Sequence, residues 1–458
     1  MIKSIEITNF KCIENSGLIE IKPITLLMGP NSSGKSSIIK PFLLMKQTAD
    51  SRDMQQAVKI DGNYVSLGSY NDFVYKHEKE RNVQLIINFE AERSLLWRKV
   101  ERDVKGARLQ TFRTAGANIE ASITFKSGVQ DQILSEIMVY NLKVASDTFS
   151  IAKFRKAKGI YSGFVSRLED NALVRYSPPK KAKFYDINLS PRSSANYYSF
   201  SRSEVGANMP HLLSYLTREF EMIVSNIFYI GPIREEPALL YSGVVERPQD
   251  VGTAGEDAAS VLWIERSVSK KATLSKRVEY WMDKFEISKS FVFKKLGPFF
   301  QLLLTDWHMG IKANLTDVGF GASQLLPIIV EGYYTPENSL VIAEQPEIHL
   351  HPKAQTLLAD LFIDISKQKK KLLIETHSEH LLMRIQRRIA EDVIDTNDVA
   401  LYYCEPTDLG TKVKRIEINE YGQLGEDLPE GFFEEGYVET QELLRAIASR
   451  KKKESGGE

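Results

Sequence analysis

The sequence has little that would fix a fold by cross-linking or place it in a membrane. Only two of its 458 residues are cysteines, Cys12 and Cys404, and they show no CxxC spacing. We therefore expect neither a disulfide framework nor a structural zinc site, and expect both cysteines to be small buried residues. No apolar run approaches the roughly 18 residues of a membrane span, and the N-terminus alternates like a strand instead of a signal peptide. These absences predict a cytoplasmic protein without a membrane partner.

Net charge is absent as well. The chain holds 60 basic and 60 acidic residues, so the charge balance gives no global attraction for nucleic acid. The distribution is uneven, because residues 93–183 contain 18 Lys and Arg against 8 Asp and Glu, whereas residues 416–444 contain 9 acids and no Lys or Arg. Two interpretations stay open for both runs: solvated surface, or contact surfaces for DNA or RNA and for a protein, respectively.

The strongest motif is GPNSSGKS, Gly29 to Ser36, which fits the phosphate-loop pattern GxxxxGK[ST]. It lies between a predicted strand, ITLLM, and a predicted helix, SSIIKPFLLMK. In such a loop the backbone amides cradle phosphates, Lys35 reaches the β- and γ-phosphates, and Ser36 ligates magnesium. ATP and Mg²⁺ are therefore the predicted cofactors. The predicted nucleotide contacts are Gly29, Asn31, Ser32, Ser33, Gly34, Lys35, Ser36 and Ser37.

Two later apolar strands end in polar residues. Glu344 ends SLVIAE and is predicted to hold magnesium through water, while His377 follows KLLIE and is predicted to sense the γ-phosphate. Gln345 stands where a catalytic carboxylate is expected. A glutamine can orient water without taking its proton, so either Glu347 or His377 assists, or turnover is slow.

The segment EQPEIHLHP also suggests another kind of site. Glu347, His349 and His351 alternate along it, as metal ligands can in an extended chain. The sequence offers no further ligand, so this alternative is disfavoured.

The turn DVGFGASQ, residues 317–324, precedes an apolar helix. Gly319, Gly321 and Ser323 are predicted to form an anion site at the helix start, with Ser323 as the N-cap. Because the chain already has a phosphate loop, this second site is expected to complete the nucleotide site of another copy. That arrangement needs a two-fold dimer with two shared nucleotides, or a higher oligomer. A simple helix cap is the alternative.

Alternating apolar strands and helices after residue 339 predict a parallel sheet covered by helices. Residues 83–89, 119–125, 133–144 and 148–154 are predicted antiparallel strands, residues 175–203 a surface loop, and residues 208–226 and 256–285 helical. The predicted units are residues 1–92, the N-terminal part of the ATPase core; 93–225, a basic β-rich insert; 226–310, a core strand with a helical subdomain; 311–430, the C-terminal part of the core; and 431–458, a C-terminal helix and disordered tail.

Several motifs occur in the order seen in ABC-type ATPases of the RecF and SMC class. These are NFKCIE, GPNSSGKSS, GFGASQ, EQPEIHLHP and ETHS. With GPIREEP and PEGFFEE, the chain more closely resembles compact bacterial ATPases allied to the overcoming-lysogenization-defect (OLD) family. The resemblance implies an α/β fold: an ABC-type P-loop ATPase head with a mixed sheet, an antiparallel β subdomain and a helical insert. It also implies the nucleotide and magnesium roles given above. It leaves open whether Arg234 makes a charge contact or a surface salt bridge, and whether Gln47, Gln55 or Gln56 forms the glutamine loop.

The functional expectation has two forms. In the first, ATP-bound assemblies sense DNA or a phage protein and control a separate effector, a nuclease or toxin, in anti-phage defence. The effector is expected to be separate because the residues after His377 show no acid cluster of a Toprim nuclease. In the second, the protein is an ATP-gated DNA clamp for repair, or a scaffold with little or no hydrolysis.

Overall fold

A computed structural model gives the fold. It describes residues 1–51, 58–91, 96–103, 106–113, 118–127, 133–144, 147–156, 160–167, 173–176, 218–244, 246–269 and 271–425. The helices are α1 (Lys35–Asp50), α2 (Tyr70–Phe73), α3 (described over 218–225), α4 (Ala258–Val268), α5 (Thr273–Lys284), α6 (Phe320–Tyr334), α7 (Pro352–Ser366) and α8 (Glu379–Ala390). Short 3-10 turns lie at Tyr75–His77, Leu315–Asp317 and Thr396–Asp398.

The strands fall into a first group before the insert ends and a second group after it. The first group is β1 (Ile2–Phe10), β2 (Ile13–Asn15), β3 (Ile19–Glu20), β4 (Ile24–Met28), β5 (Val83–Glu90), β6 (Leu96–Asp103), β7 (Gly106–Arg113), β8 (Asn118–Ser127), β9 (Ile133–Val144), β10 (Asp147–Lys156), β11 (Ile160–Arg167) and β12 (Leu173–Tyr176). The second group is β13 (Ile227–Ile230), β14 (Tyr241–Ser242), β15 (Ser288–Leu296), β16 (Phe299–Asp306), β17 (Lys312–Asn314), β18 (Leu340–Glu344), β19 (Lys371–Glu375), β20 (Val399–Thr407) and β21 (Gly410–Ile416).

A six-stranded sheet, in the order β13-β18-β19-β4-β20-β21, positions the candidate site. Its first five strands are parallel, and only β21 is antiparallel to its neighbour. The predicted parallel sheet is thus confirmed. Since parallel strands end together, residues that follow β13, β18, β19 and β4 meet along one edge.

The predicted antiparallel strands are also confirmed. They belong to a nine-stranded sheet with the order β12-β11-β10-β9-β8-β5-β1-β2, in which β3 also pairs with β1. A smaller antiparallel sheet contains β14, β16, β15 and β17. β14 precedes α4, whereas β15, β16 and β17 lie between α5 and α6, where no strands are predicted from the sequence. The α/β class with a mixed sheet and an antiparallel β subdomain is therefore confirmed.

Two apolar cores cover the two faces of the six-stranded sheet. Alternate residues of β4 show this, because Leu27 packs into the core that contains α1, whereas Leu26 and Met28 pack into the core that contains α4 to α8. Burial on both faces explains the nearly continuous apolar runs of these strands. Polar side chains are then expected only where the strands end.

Several expectations concern residues that the structure does not describe. Residues 177–203 of the predicted loop, residues 208–217 of the predicted helix, and residues 431–458 lie outside the described residues.

Among the described residues, no helix is long and apolar enough to cross a membrane. Cys404 is buried as expected, whereas Cys12 is partly exposed, and both are free thiols.

Candidate nucleotide site

The phosphate loop connects β4 to α1 through two glycines that no other residue can replace without strain. Gly29 has φ of 141°, and a Cβ there would lie 2.4 Å from the carbonyl oxygen of Cys404. Gly34 caps α1 with φ of 92°, and a Cβ there would lie 2.3 Å from Oγ1 of Thr411. Thr411 in turn donates a hydrogen bond to the carbonyl of Ser33 at 2.8 Å. The loop is therefore held closely against β20 and β21.

Lys35 is almost fully buried, with 4% of its surface exposed, and its ammonium group folds back on its own loop. Nζ donates hydrogen bonds to the carbonyl oxygens of Gly29, at 3.0 Å, and Pro30, at 2.8 Å. It also lies 4.0 Å from Oε1 of Glu375. Burial lowers the pKa of Lys35, and the charge of Glu375 opposes that effect. A phosphate group entering the loop would replace the two carbonyls as the partners of Nζ.

The other predicted loop contacts surround this lysine. Ser36 donates a hydrogen bond from Oγ to Oε2 of Glu375 at 3.0 Å. Ser33 is fully buried, and its Oγ has no partner among the described residues. Asn31 and Ser32 are exposed, and Ser37 is bonded to the thiol of Cys12 at 3.3 Å. The loop thus presents exposed backbone together with a buried, anchored lysine.

Two carboxylates lie side by side next to the loop. Glu344 and Glu375 are paired in register at the ends of β18 and β19, and β19 is itself the neighbour of β4. Tyr229, from β13, donates a hydrogen bond to Oε1 of Glu344 at 3.0 Å. Burial, and then the charge of Glu375, raise the pKa of Glu344 to about 7. A cation between the two groups would relieve this repulsion.

The turn after β18 brings Gln345, Glu347 and His377 together. Gln345 has φ of 46°, in the left-handed region, and its backbone amide donates to the carbonyl of Glu375 at 2.7 Å. Glu347 accepts a hydrogen bond at Oε1 from the backbone amide of His377 at 2.7 Å, whereas its buried Oε2 has no partner in the described structure. The imidazole of His377 is exposed, and burial of part of the ring lowers its pKa.

Arg234 is a buried side chain that donates hydrogen bonds to the backbone of this turn. It follows β13, has 4% of its surface exposed, and donates from Nη2 to the carbonyls of Glu344, at 3.1 Å, and Gln345, at 3.3 Å. Burial lowers its pKa to about 10, against the nearby charge of Glu347. A surface salt bridge is therefore wrong for Arg234, which instead fixes the backbone that carries Glu344 and Gln345.

The start of α6 differs from the prediction. Gly319 is the N-cap residue, and Ser323 lies inside the helix and is buried, so the prediction of Ser323 as the N-cap is wrong. No described side chain accepts a capping hydrogen bond at this helix start. Gly319 is exposed, and a Cβ there would lie in open space. A Cβ on Gly321 would lie 3.6 Å from the carbonyl of His349. The turn that follows β18 therefore adjoins the first turn of α6.

The remaining sequence candidates have structural positions. Gln47 is buried and bonds through both side-chain atoms to the backbone of Lys59, Tyr64 and Val65, so it braces a loop; Gln55 and Gln56 lie outside the described residues. His349 and His351 are exposed, and His351 caps α7. Within the described ranges, no group of three or more His, Cys, Asp or Glu side chains is arranged to hold a metal.

A cavity of about 500 Å³ lies next to the turn after β1 and the start of β21. Its walls include Cys12, Tyr75 and Gly410, from the turn after β1, the turn after α2 and the start of β21. Because Cys12 is bonded to Ser37 at the first turn of α1, the cavity lies beside the start of that helix. Its volume falls in the range of small-molecule pockets.

Sequence reasoning missed Glu375, Tyr229 and the cavity. Glu375 is the acid of ETHS, at the end of the predicted buried strand KLLIE, and the sequence motif alone predicts no role for it. The available signal was its position: like Glu344, it is the acid that ends an apolar strand. Tyr229 had no such signal, because only the pairing of β13 with β18 brings it to Glu344.

Comparisons with known proteins agree with a P-loop ATPase. The AAA ATPase domain family matches residues 1–226 and 263–382, and a family described as a protein of unknown function matches residues 394–443. Comparison with curated protein sequences gives no match.

Solved structures with similar folds include SMC heads. The SMC head domain from Thermotoga maritima shares 9% identity at a TM-score of 0.39, covering 91% of this chain and 99% of that one. An Smc head bound to the C-terminal domain of ScpA, from Pyrococcus furiosus, shares 12% identity at a TM-score of 0.40, covering 91% and 96%. At such low values these likenesses carry no functional argument. The family match, by contrast, extends over most of the sequence and includes the phosphate loop, Glu344 and His377. The chain belongs to the AAA ATPase domain family.

Proposed function

We propose that the protein is a magnesium-dependent ABC-type ATPase in which two copies enclose two ATP molecules and hydrolyse them slowly. We further propose that the closed, ATP-bound assembly controls a separate effector. The observation that carries the nucleotide part is the meeting of Lys35, Ser36, Glu344 and Glu375 at one edge of the parallel sheet.

Binding would begin with an exchange of partners at Lys35. In the structure its ammonium group is bonded to the carbonyls of Gly29 and Pro30. Phosphate oxygens carry full charge, so they are stronger acceptors than these carbonyls and would draw Nζ toward the triphosphate. The cavity lined by Cys12 and Gly410 lies near the start of α1 and would accept the nucleoside part.

The donor set fits magnesium. Ser36 and Glu344 offer hydroxyl and carboxylate oxygens, which are the ligands that Mg²⁺ prefers, and the phosphates would supply others. Bound with ATP, magnesium would neutralise charge on the phosphates during transfer. Tyr229 would hold the carboxylate of Glu344 in place through the hydrogen bond to Oε1.

Slow turnover is proposed from the residues around the attacking water. Gln345 can accept a hydrogen bond from water but cannot take its proton. Glu347 is the candidate acceptor for that proton, because its Oε2 has no partner among the described residues and burial raises its pKa. His377 is tied to Glu347 through its backbone amide, so its exposed ring would face the γ-phosphate from the same turn.

The dimer is proposed from the open start of α6. No described side chain caps this helix, the partial positive charge of its N-terminus suits an anion, and Gly319 leaves the approach clear. A second copy could place its γ-phosphate there. The site would then consist of the phosphate loop of one copy and the start of α6 of the other.

Control of an effector in anti-phage defence is supported by the resemblance of the motifs to OLD-allied ATPases. The alternative is an ATP-gated DNA clamp for repair, which the basic excess of residues 93–183 favours. Charge reversal across residues 153–158 separates the two, because a DNA clamp loses its salt-dependent affinity for DNA while an effector controller does not depend on it.

The test of the enzymatic proposal is single-turnover hydrolysis of ATP by the purified protein with excess enzyme. Hydrolysis clearly faster than that of free ATP in the same buffer supports an ATPase. A rate equal to that of free ATP, combined with tight ATP binding, favours a scaffold that uses nucleotide as a structural ligand. Effector control is tested by comparing phage plating on cells that carry the wild-type or Lys35→Ala gene with its genomic neighbours.

A further inference from the structure

In the order of the sheet, Glu375 stands closer to the phosphate loop than the predicted magnesium residue Glu344 does, because β19 lies between β18 and β4. Its Oε2 accepts the hydrogen bond from Ser36, and its Oε1 lies 4.0 Å from Nζ of Lys35. One carboxylate therefore touches both side chains that the loop motif assigns to phosphate and metal.

The distance between the two oxygen atoms matches a metal site. In octahedral coordination, two ligands about 2.1 Å from magnesium and at right angles to each other lie about 3.0 Å apart. Oγ of Ser36 and Oε2 of Glu375 are 3.0 Å apart. The two atoms are therefore spaced as adjacent ligands of one magnesium ion, and no movement of the backbone is needed to bring them together.

The surroundings of Glu375 favour a metal over a catalytic proton. Its two oxygen atoms face Ser36 and Lys35, the side chains that the loop motif assigns to metal and phosphate. Glu347, the proposed proton acceptor, instead has an oxygen without a partner among the described residues. Glu375 is 4% exposed, and a carboxylate so buried needs a positive partner to stay charged. Lys35 supplies that positive partner only while its ammonium group stays near Glu375. If Lys35 moves to the triphosphate as proposed, a metal cation would become the positive partner of Glu375.

We propose that Glu375 is a direct ligand of the nucleotide's magnesium ion, adjacent to Ser36. Glu344 is paired with Glu375 on the neighbouring strand β18 and would lie on the side of Glu375 away from β4. The hydrogen bond from Tyr229 would hold its carboxylate there. This inference rests on the proposed ATP binding. It gives Glu375, the acid of ETHS, a role in metal binding, in addition to the roles predicted for Ser36 in the loop and for Glu344 at the end of β18.

The experiment measures metal binding without measuring turnover. The protein is saturated with a fluorescent ATP analogue in EDTA to give its affinity for free nucleotide. After EDTA and unbound nucleotide have been removed, Mn²⁺, which replaces Mg²⁺ in such sites, is titrated into the protein–nucleotide complex and followed by electron paramagnetic resonance. The proteins are wild type, Glu375→Gln, Glu375→Asp and the control Glu379→Gln, which removes an exposed acid four residues away.

We expect Glu375→Gln to bind Mn²⁺ at least about tenfold more weakly, since even residues that only support a ligand cost 10- to 100-fold. Its affinity for metal-free nucleotide should be equal or higher, because a negative charge beside the phosphates is gone. Glu375→Asp keeps the charge but shortens the side chain, so its Mn²⁺ affinity should lie between those of wild type and Glu375→Gln. Comparison of the two variants also shows whether loss of the charge disturbs folding. Glu379→Gln should behave as wild type.

Mn²⁺ affinity within threefold of wild type in both Glu375 variants would overturn the assignment. If metal-free affinity rises while Mn²⁺ affinity is unchanged, Glu375 only restrains Lys35, and the assignment is wrong. If the wild-type protein binds no nucleotide, the proposed function itself fails. The two failures are therefore distinguishable.

Discussion

The two halves of the proposed nucleotide site are built in opposite ways. At the edge of the parallel sheet, Lys35, Glu344 and Glu375 are buried and already bonded to neighbours within the chain. At the start of α6, Gly319 is exposed, and no described side chain caps the helix. In the proposed function, the first region holds phosphate and metal with residues of one chain. The second is a helix start to which no described residue of its own chain offers a capping side chain, as expected if a second copy completes it.

The largest effect is expected at Gln345, on the sheet edge. Gln345→Glu would supply a carboxylate beside the attacking water, and a positioned general base is worth about 100-fold or more in rate. Single-turnover hydrolysis measures the rise. Gln345→Asn keeps an amide and should give none, so an equal rise in both variants, or no rise in Gln345→Glu, would show that this residue does not limit turnover.

Lys35→Ala tests the same region through binding. Loss of a charged hydrogen-bond donor to phosphate costs about 1.5–3 kcal/mol, which corresponds to a 10- to 100-fold weaker affinity for ATP. Calorimetric titration with ATP measures it. Lys369→Ala, which removes an exposed lysine paired with Glu337 on the surface, is the matched control and should bind as wild type.

Gly319 tests the α6 region without disturbing the helix. Gly319→Asp adds an N-cap that favours the helix, but it also places a carboxylate where the phosphate of the second copy is proposed to lie. We expect about tenfold weaker ATP-dependent dimerisation, from one unfavourable charge contact, with unchanged ATP binding. Sedimentation velocity measures the dimer. Gly319→Asn caps the helix without charge, and a loss of dimer as large as in Gly319→Asp would point to shape instead of charge.

The smallest effect concerns the anchored end of α6. Glu331 is fully buried, accepts a hydrogen bond from the amide of Val251 at 3.0 Å, and has its pKa raised to about 8 by burial. A folded-state pKa above the unfolded value means that the folded chain holds the proton longer, so stability falls as pH rises toward 8.

Glu331→Gln cannot titrate. Relative to wild type, its free energy of unfolding should therefore improve by about 1 kcal/mol between pH 6 and pH 7. Urea unfolding at the two pH values measures the difference. An equal change in wild type and variant would mean that Glu331 is charged in the folded protein at pH 6.

Sequence patterns predicted the elements of both regions but not the contacts between them. The phosphate loop, β18, β19 and α6 follow from apolar periodicity and glycine positions, which are local signals. Glu375 was missed because its importance depends on its register with Glu344 and on its distance from Ser36, neither of which is local.

Two further differences have similar causes. Ser323 was predicted as the N-cap from residue preference, but α6 begins earlier, after Gly319, and Ser323 is buried within the helix. The motif GPIREEP does not distinguish a charge contact from a surface salt bridge for Arg234, because nothing in the motif indicates that the side chain is buried. Its place under the turn after β18 depends on the pairing of β13 with β18.

The central claim, that each chain contributes half of every nucleotide site, can be measured by mixing two defective variants. Lys35→Ala keeps the start of α6, and Gly319→Asp keeps the phosphate loop, so a mixed dimer contains one intact composite site. Sedimentation of the mixture with Mg²⁺ and ATP should show a dimer that neither variant forms alone. A mixture that remains monomeric, under conditions in which the wild-type protein dimerises with ATP, would contradict the claim.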